Sequence, residues 1–218
     1  MISFPFFINN IYKQKKKMKI LNFEEFTKDK LNENMMSPID ESKKEDKIKD
    51  IDELIERIKE EYIKQNSKTS HKLDLTMLDV SMVKDMSYIF EDKRNVKYPY
   101  AELKSIDVSN WDVSNVTDMY CMFEGCESLE SIDVSKWDVR HVKNMSGMFY
   151  RCESLESIDV SNWDVSNVKD MHSMFEGCES LESIDVSKWD VRNIRDIKNM
   201  FNGCKFDYKL QGNKLVKI

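Results

Sequence analysis

Glycine, proline and histidine are scarce in this chain: five, three and three in 218 residues. So few glycines exclude the glycine-rich nonapeptides of calcium-binding β-rolls. The histidines, His71, His141 and His172, fall at unrelated places, and no H-E-x-x-H, phosphate loop or nucleophile–base spacing occurs. An enzyme is therefore not expected. Basic charge is also lacking. The formal net charge of -6 argues against a phosphate backbone as partner, which needs a basic surface. No apolar run approaches the roughly 20 residues that span a bilayer. At the start, MISFPFFINNIYKQKKKMK places its lysines after its apolar piece, the reverse of a secretory signal, with no cysteine there to carry a lipid. A cytoplasmic or virion-associated protein is expected, and Met18 is an alternative start.

Residues 1–45 read as a flexible polar leader, whose lysine run 13–19 is a solvated charge cluster before it is a nucleic-acid or membrane contact. Across 46–66, Ile48, Ile51, Ile55, Ile58 and Tyr62 recur at steps of three and four, which predicts an amphipathic capping helix.

Beyond it the chain repeats itself every 26 residues. Leu103, Leu129, Leu155 and Leu181 form one column; Trp111, Trp137, Trp163 and Trp189 a second; Phe123, Phe149, Phe175 and Phe201 a third. A worn earlier copy lies in LDLTMLDVSMVKDMSYIF, so five copies occupy 73–204, and 205–218 reads as a C-terminal cap. Copies alternate SNWDVS and SKWDVR, the trace of a duplicated pair. A period of this size means that each copy lends its apolar face to its neighbours, because one copy alone cannot bury it. Within a copy, Ile106 and Val108 alternate with Asp107 and Ser109 as in a short strand. Met119, Met122, Phe123 and Cys126 stand at helical steps ending near Gly125.

The words SIDVSNWDVSNVTDMYCMFEGCESL resemble the repeat of the BspA-like leucine-rich repeat proteins of bacterial surfaces. That resemblance implies an α/β, right-handed leucine-rich-repeat-type solenoid with short parallel strands and an N-terminal helical cap. It also implies a non-enzymatic scaffold for protein binding or adhesion, displayed on a cell surface. The stretch MKILNFEEFTKDKLNE is similar to leaders on some phage-encoded proteins, which gives the alternative of a structural component of a phage particle with a targeting leader.

Two surfaces are candidates for recognition. The strand face carries Asp107, Glu130, Asp133, Glu156, Asp159, Glu182 and Asp185 against three lysines, about four negative charges in sum, and would suit a basic or polar protein partner. Its aspartates form a solvated acidic face in preference to a calcium ladder, which needs several converging oxygens. The other surface holds the positions that vary between copies: Tyr120, Cys121, His172 and Asn199. The second aspartate column, led by Asp112, precedes a turn and is expected to cap it. The cysteines Cys126, Cys152, Cys178 and Cys204, one copy apart, lack zinc-ligand spacing and read as reduced packing residues. Cys121, outside that column, reads as an exposed thiol. The tryptophans belong to the core before they serve as stacking platforms. No cofactor or metal is expected.

Overall fold

The computed structural model describes residues 47–66, 71–90, 100–212 and 214–217. The leader and its lysine run lie outside these residues. The described elements run α1 (Ile51–Asn66), β1 (Lys72–Asp74), β2 (Ser105–Asp107), β3 (Tyr208–Gln211) and β4 (Lys214–Lys217). β1 pairs with β2 in parallel, and β3 with β4 antiparallel.

The amphipathic spacing predicts the helix, and its ends explain its length. The Asp50 carboxylate accepts the Glu53 N–H at 3.0 Å, while the Glu53 side chain accepts the Lys49 N–H at 3.0 Å. This is a reciprocal cap worth about 1 kcal/mol. Leu54 and Ile58 are fully buried, with Ile51, Ile55 and Tyr62 packed beside them. At the far end the Gln65 amide donates to the Asp74 carbonyl and accepts its N–H, both at 2.7 Å. That amide satisfies backbone groups of β1 on the side away from β2, where an unpaired strand edge would otherwise stand.

The leucine-rich-type solenoid does not describe the protein. Among the described residues there is one helix, and the only parallel sheet has two strands of three residues; no repeat contains a strand-plus-helix unit. Each repeat is instead a chain of β-turns whose first and last residues face inward. In the copy from Leu103 the closing N–H to C=O bonds are Trp111 to Val108, Val116 to Val113, Met122 to Met119, Cys126 to Phe123 and Leu129 to Cys126, at 2.9–3.3 Å. All of these end residues are buried, whereas between them Ser109 and Ser114 are partly exposed and Asn110 and Asn115 exposed.

The predicted helical turn at 119–126 is overturned for a specific reason. Cys121 has φ 51° and Gly125 has φ 76°, each at the third position of a hydrogen-bonded turn, where a type II turn demands positive φ and an α-helix forbids it. The same two positions are left-handed in the next three copies, at Gly147 and Arg151, Ser173 and Gly177, and Asn199 and Gly203.

Neighbouring copies are joined in parallel along two columns. Single bridges link Ser105 to Ser131 to Ser157, and Asp85 to Asp118 to Asn144 to Asp170 to Asp196. In the second column alternate N–H groups donate forward to the following copy. Met119, Cys121, Phe123 and Gly125 bond the carbonyls of Asn144, Ser146, Met148 and Tyr150 at 2.8–2.9 Å, and the pattern repeats from Met145 and from Met171. The like-for-like columns then stack. Trp111, Trp137 and Trp163 lie parallel with centroids 6.5 Å apart, and Phe123, Phe149 and Phe175 with centroids 5.3 and 5.4 Å apart. Every indole N–H reaches a carbonyl of the preceding copy; Trp163 donates to Val134 at 3.0 Å. A buried indole needs such a partner, so the tryptophans are core. At the far end Phe206 and Tyr208 close on Phe201, with the β3–β4 hairpin behind them.

Candidate functional site

Three aspartate columns, not one, cap turns. Asp107 accepts both the N–H and the hydroxyl of Ser109, and Asp133 and Asp159 do the same with Ser135 and Ser161. Asp185 accepts the Ser187 N–H. Asp112 and Asp164 each take the N–H two residues on, as do Asp118 and Asp170. The residue type and the two-residue step define an Asx turn. Strand-face aspartates therefore serve the fold and still leave one carboxylate oxygen outward.

Asp133, Asp159 and Asp185 line one groove of about 540 Å³ with Ser131, Ile132, Ser135, Ser157, Ile158, Ser183 and Ile184. The hydroxyl and N–H of the serine two residues on hold the Asp133 and Asp159 carboxyls below the ordinary range, and the same holds for Asp185. Asp133 and Asp185 push Asp159 the other way, and the serine bonds win. Neighbouring parallel segments lie about 4.8 Å apart, and unit charges at that spacing repel by roughly 1 kcal/mol in water, so the groove holds charge that a cationic side chain would relieve. Lys136 and Lys188 supply part of that relief for Asp133 and Asp185. Of the other strand-face acids, all exposed, Glu130 is paired with Lys104 at 2.6 Å and Glu182 with Lys205 at 3.4 Å. Asp107 and Glu156 are also exposed, but neither lines the groove.

The variable column is largely interior. Cys121 is buried, not an exposed thiol, and its Sγ fills the space over Gly147: a Cβ there would lie 2.7 Å from it. Tyr120 is half-buried against Tyr88, with ring centroids 4.8 Å apart, and burial raises its pKa. Asn199 alone of the four is exposed.

His172 forms part of a trio. Its Nε2 lies 3.1 Å from the Ser173 Oγ, which itself donates to Glu176. A catalytic relay needs the carboxylate on the histidine and the histidine free to take the serine proton. Here the carboxylate holds the serine, and among the described residues His172 Nδ1 is buried without a hydrogen-bond partner. The trio ties one turn together.

The cysteine column packs as a ladder. The Cys152, Cys178 and Cys204 thiols donate to the carbonyls of Phe123, Phe149 and Phe175 at 3.2–3.3 Å. Burial pushes Cys126 up to about 12 and the half-buried Cys204 to about 11, so the reactive thiolate is suppressed. Among the described residues no group of His, Cys, Asp and Glu is placed to hold a metal ion. No helix among them is long and apolar enough to cross a membrane.

Sequence reasoning missed the turn at 100–103. There Tyr100 occupies the place of the column cysteine, with the Leu103 N–H bonded to its carbonyl at 3.1 Å. Tyr100 stands 26 residues before Cys126, so the spacing was there to read; the change of residue type from cysteine to tyrosine hid it.

No curated protein and no solved structure matches the chain. A family model described as "Mycoplasma protein of unknown function, DUF285" matches three times in overlapping windows, 26–126, 56–158 and 94–213. The repeat therefore is not that of the BspA-like leucine-rich proteins, whose strand-and-helix unit is also missing from the fold. The chain belongs to the DUF285 family.

Proposed function

We propose that the protein is a non-enzymatic binding protein that captures a basic or polar polypeptide along the groove of Asp133, Asp159 and Asp185. The observation that supports this reading is the continuity of the groove over three repeats. Its carboxylates are fixed by serine bonds at one oxygen and exposed at the other. A lysine or arginine laid there gains a charge-assisted bond to an acceptor whose rotamer is already set, so little side-chain entropy is lost.

The test uses a fluorescent lysine octapeptide and anisotropy. The double substitution Asp133→Lys/Asp159→Lys is expected to weaken binding at least tenfold at physiological salt, about 1.4 kcal/mol or more. A control of equal charge, Glu127→Lys/Glu153→Lys on another column, should change it much less. Equal loss in both variants would reduce the effect to net charge and reject the groove.

A further inference from the structure

Each row of forward-donating N–H groups meets the next copy, except the last. The row led by Met119 bonds the segment 144–150, the row led by Met145 the segment 170–176, and the row led by Met171 the segment 196–202. The final row consists of the Ile197, Asn199, Phe201 and Gly203 amides, and among the described residues these have no acceptor. Exposure follows. Met119, Met145 and Met171 are fully buried, whereas Ile197 is half-exposed, and Asn199 and Gly203 are exposed.

These four residues, Ile197, Asn199, Phe201 and Gly203, line a cleft of about 520 Å³ with Met200, Phe206 and Leu215. The β3–β4 hairpin and Phe206 cap the aromatic column but leave the amide row open on one side of the cleft. Arg195 and Lys198, both exposed, stand on the segment that carries the row, while Lys205, paired with Glu182 at 3.4 Å, and Asp207 line the cleft itself.

We propose that this edge docks an extended, acidic segment of a partner protein, which adds one more rung to the second column. The main chain of the segment supplies alternate carbonyls to the Ile197, Asn199, Phe201 and Gly203 amides. One large apolar side chain enters the cleft against Phe201, Phe206 and Leu215, and its carboxylates meet Arg195 and Lys198. Edge addition of this kind takes affinity from the main chain and specificity from alternate side chains. The protein already binds such a segment four times in the same register, at 118–123, 144–149, 170–175 and 196–201, and each time the segment has the form (D/N)-(M/I)-x-x-M-F.

The probe is a synthetic peptide of residues 168–178, VKDMHSMFEGC, titrated into the full-length ¹⁵N-labelled protein. The expected result is saturable movement of the Ile197, Asn199, Phe201 and Gly203 amide resonances, with none at Met119 or Met145. A scrambled peptide should bind at least tenfold more weakly. Arg195→Glu/Lys198→Glu, both at exposed sites, should weaken binding about tenfold with the melting temperature unchanged. Absence of movement at the four amides would overturn the proposal. So would their movement on raising protein concentration without peptide, because the edge would then belong to a second copy. Loss of affinity in the scrambled peptide but not in the charge variant would overturn the acidic part of the claim.

Discussion

The copy from Leu129 and the copy that ends at Cys204 share their first twelve letters and their column residues but have different neighbours. Phe149 is stacked on both faces, by Phe123 and Phe175, and is wholly buried; Phe201 has Phe175 on one face and a tilted Phe206 on the other, and is 6% exposed. The same inward residues thus contribute in proportion to what lies above and below them. Stability in this molecule resides between copies more than within them.

The widest gap between the two regions is expected from aromatic truncation. Phe149→Ala should cost about 3–5 kcal/mol in urea unfolding. Phe201→Ala should cost about half of that, because the end of the array can relax around the void. Equal costs would break the comparison.

Glycines sharpen it next. Gly147→Ala combines φ 62° with a Cβ 2.7 Å from the Cys121 Sγ and should cost about 2–3 kcal/mol. Gly212, at φ 61° in the hairpin turn, has nothing within 4 Å, and Gly212→Ala should cost only about 1 kcal/mol of backbone strain. Thermal unfolding of both variants separates the clash from the strain.

Acids in the two columns should respond to pH in opposite directions. Burial raises the Asp118 carboxyl, helped by the nearby Asp85 charge. Its charge therefore opposes folding above the unfolded carboxylate pKa, and that penalty fades as pH falls through the raised folded value. The next copy has Asn144 in this place, its side-chain oxygen accepting the Ser146 N–H at 3.1 Å. Asp118→Asn should therefore stabilise the protein at pH 7, and the gain should shrink towards pH 4. Asp133, Asp159 and Asp185 behave conversely: their lowered folded pKa contributes stability above the unfolded value, lost as pH falls through the folded one. Denaturation curves of Asp118→Asn from pH 7 to 4 check the sign.

The smallest effect is chemical. With a thiol reagent at pH 8 the half-buried Cys204 should react before Cys126, Cys152 and Cys178, and those three only on unfolding. Peptide mapping reads the order.

The period and the inward letters were legible in the sequence, because a column that repeats Leu, Trp, Phe or Cys at 26-residue steps has to be packing: all four Trp and all four column Phe are buried. Local conformation was not. A buried i, i+3 pair is common to a helix and to a β-turn with both ends inward, so Met119, Met122 and Cys126 suit either. The distinguishing sign was the glycine at 125, 177 and 203, which repeats where a helix would place an ordinary residue. Arg151 weakens even that sign by taking the left-handed position with a side chain. The short strand at Ile106 is real only as β2, since later copies keep a single bridge each at Ser131 and Ser157. The acidic face was legible as a column of letters. Its attachment to the serines two residues on required the turn geometry.

The first copy shows the same logic from the other end. Interior copies use Asn115, His141, Asn167 and Asn193 to donate to a carbonyl of the preceding copy, as Asn167 does to Arg140 at 2.8 Å. At the matching place the first copy has Met82, 54% exposed. With no earlier copy to receive the bond, the amide has no task there.

Amide hydrogen exchange over the second column tests the dependence of each copy on the next most directly. The account predicts strong protection of Met119, Cys121, Phe123 and Gly125 and of their counterparts from Met145 and Met171, with near-free exchange at Ile197, Asn199, Phe201 and Gly203. Protection that is uniform through the last row, or an interior row that exchanges as fast as the last, would contradict it.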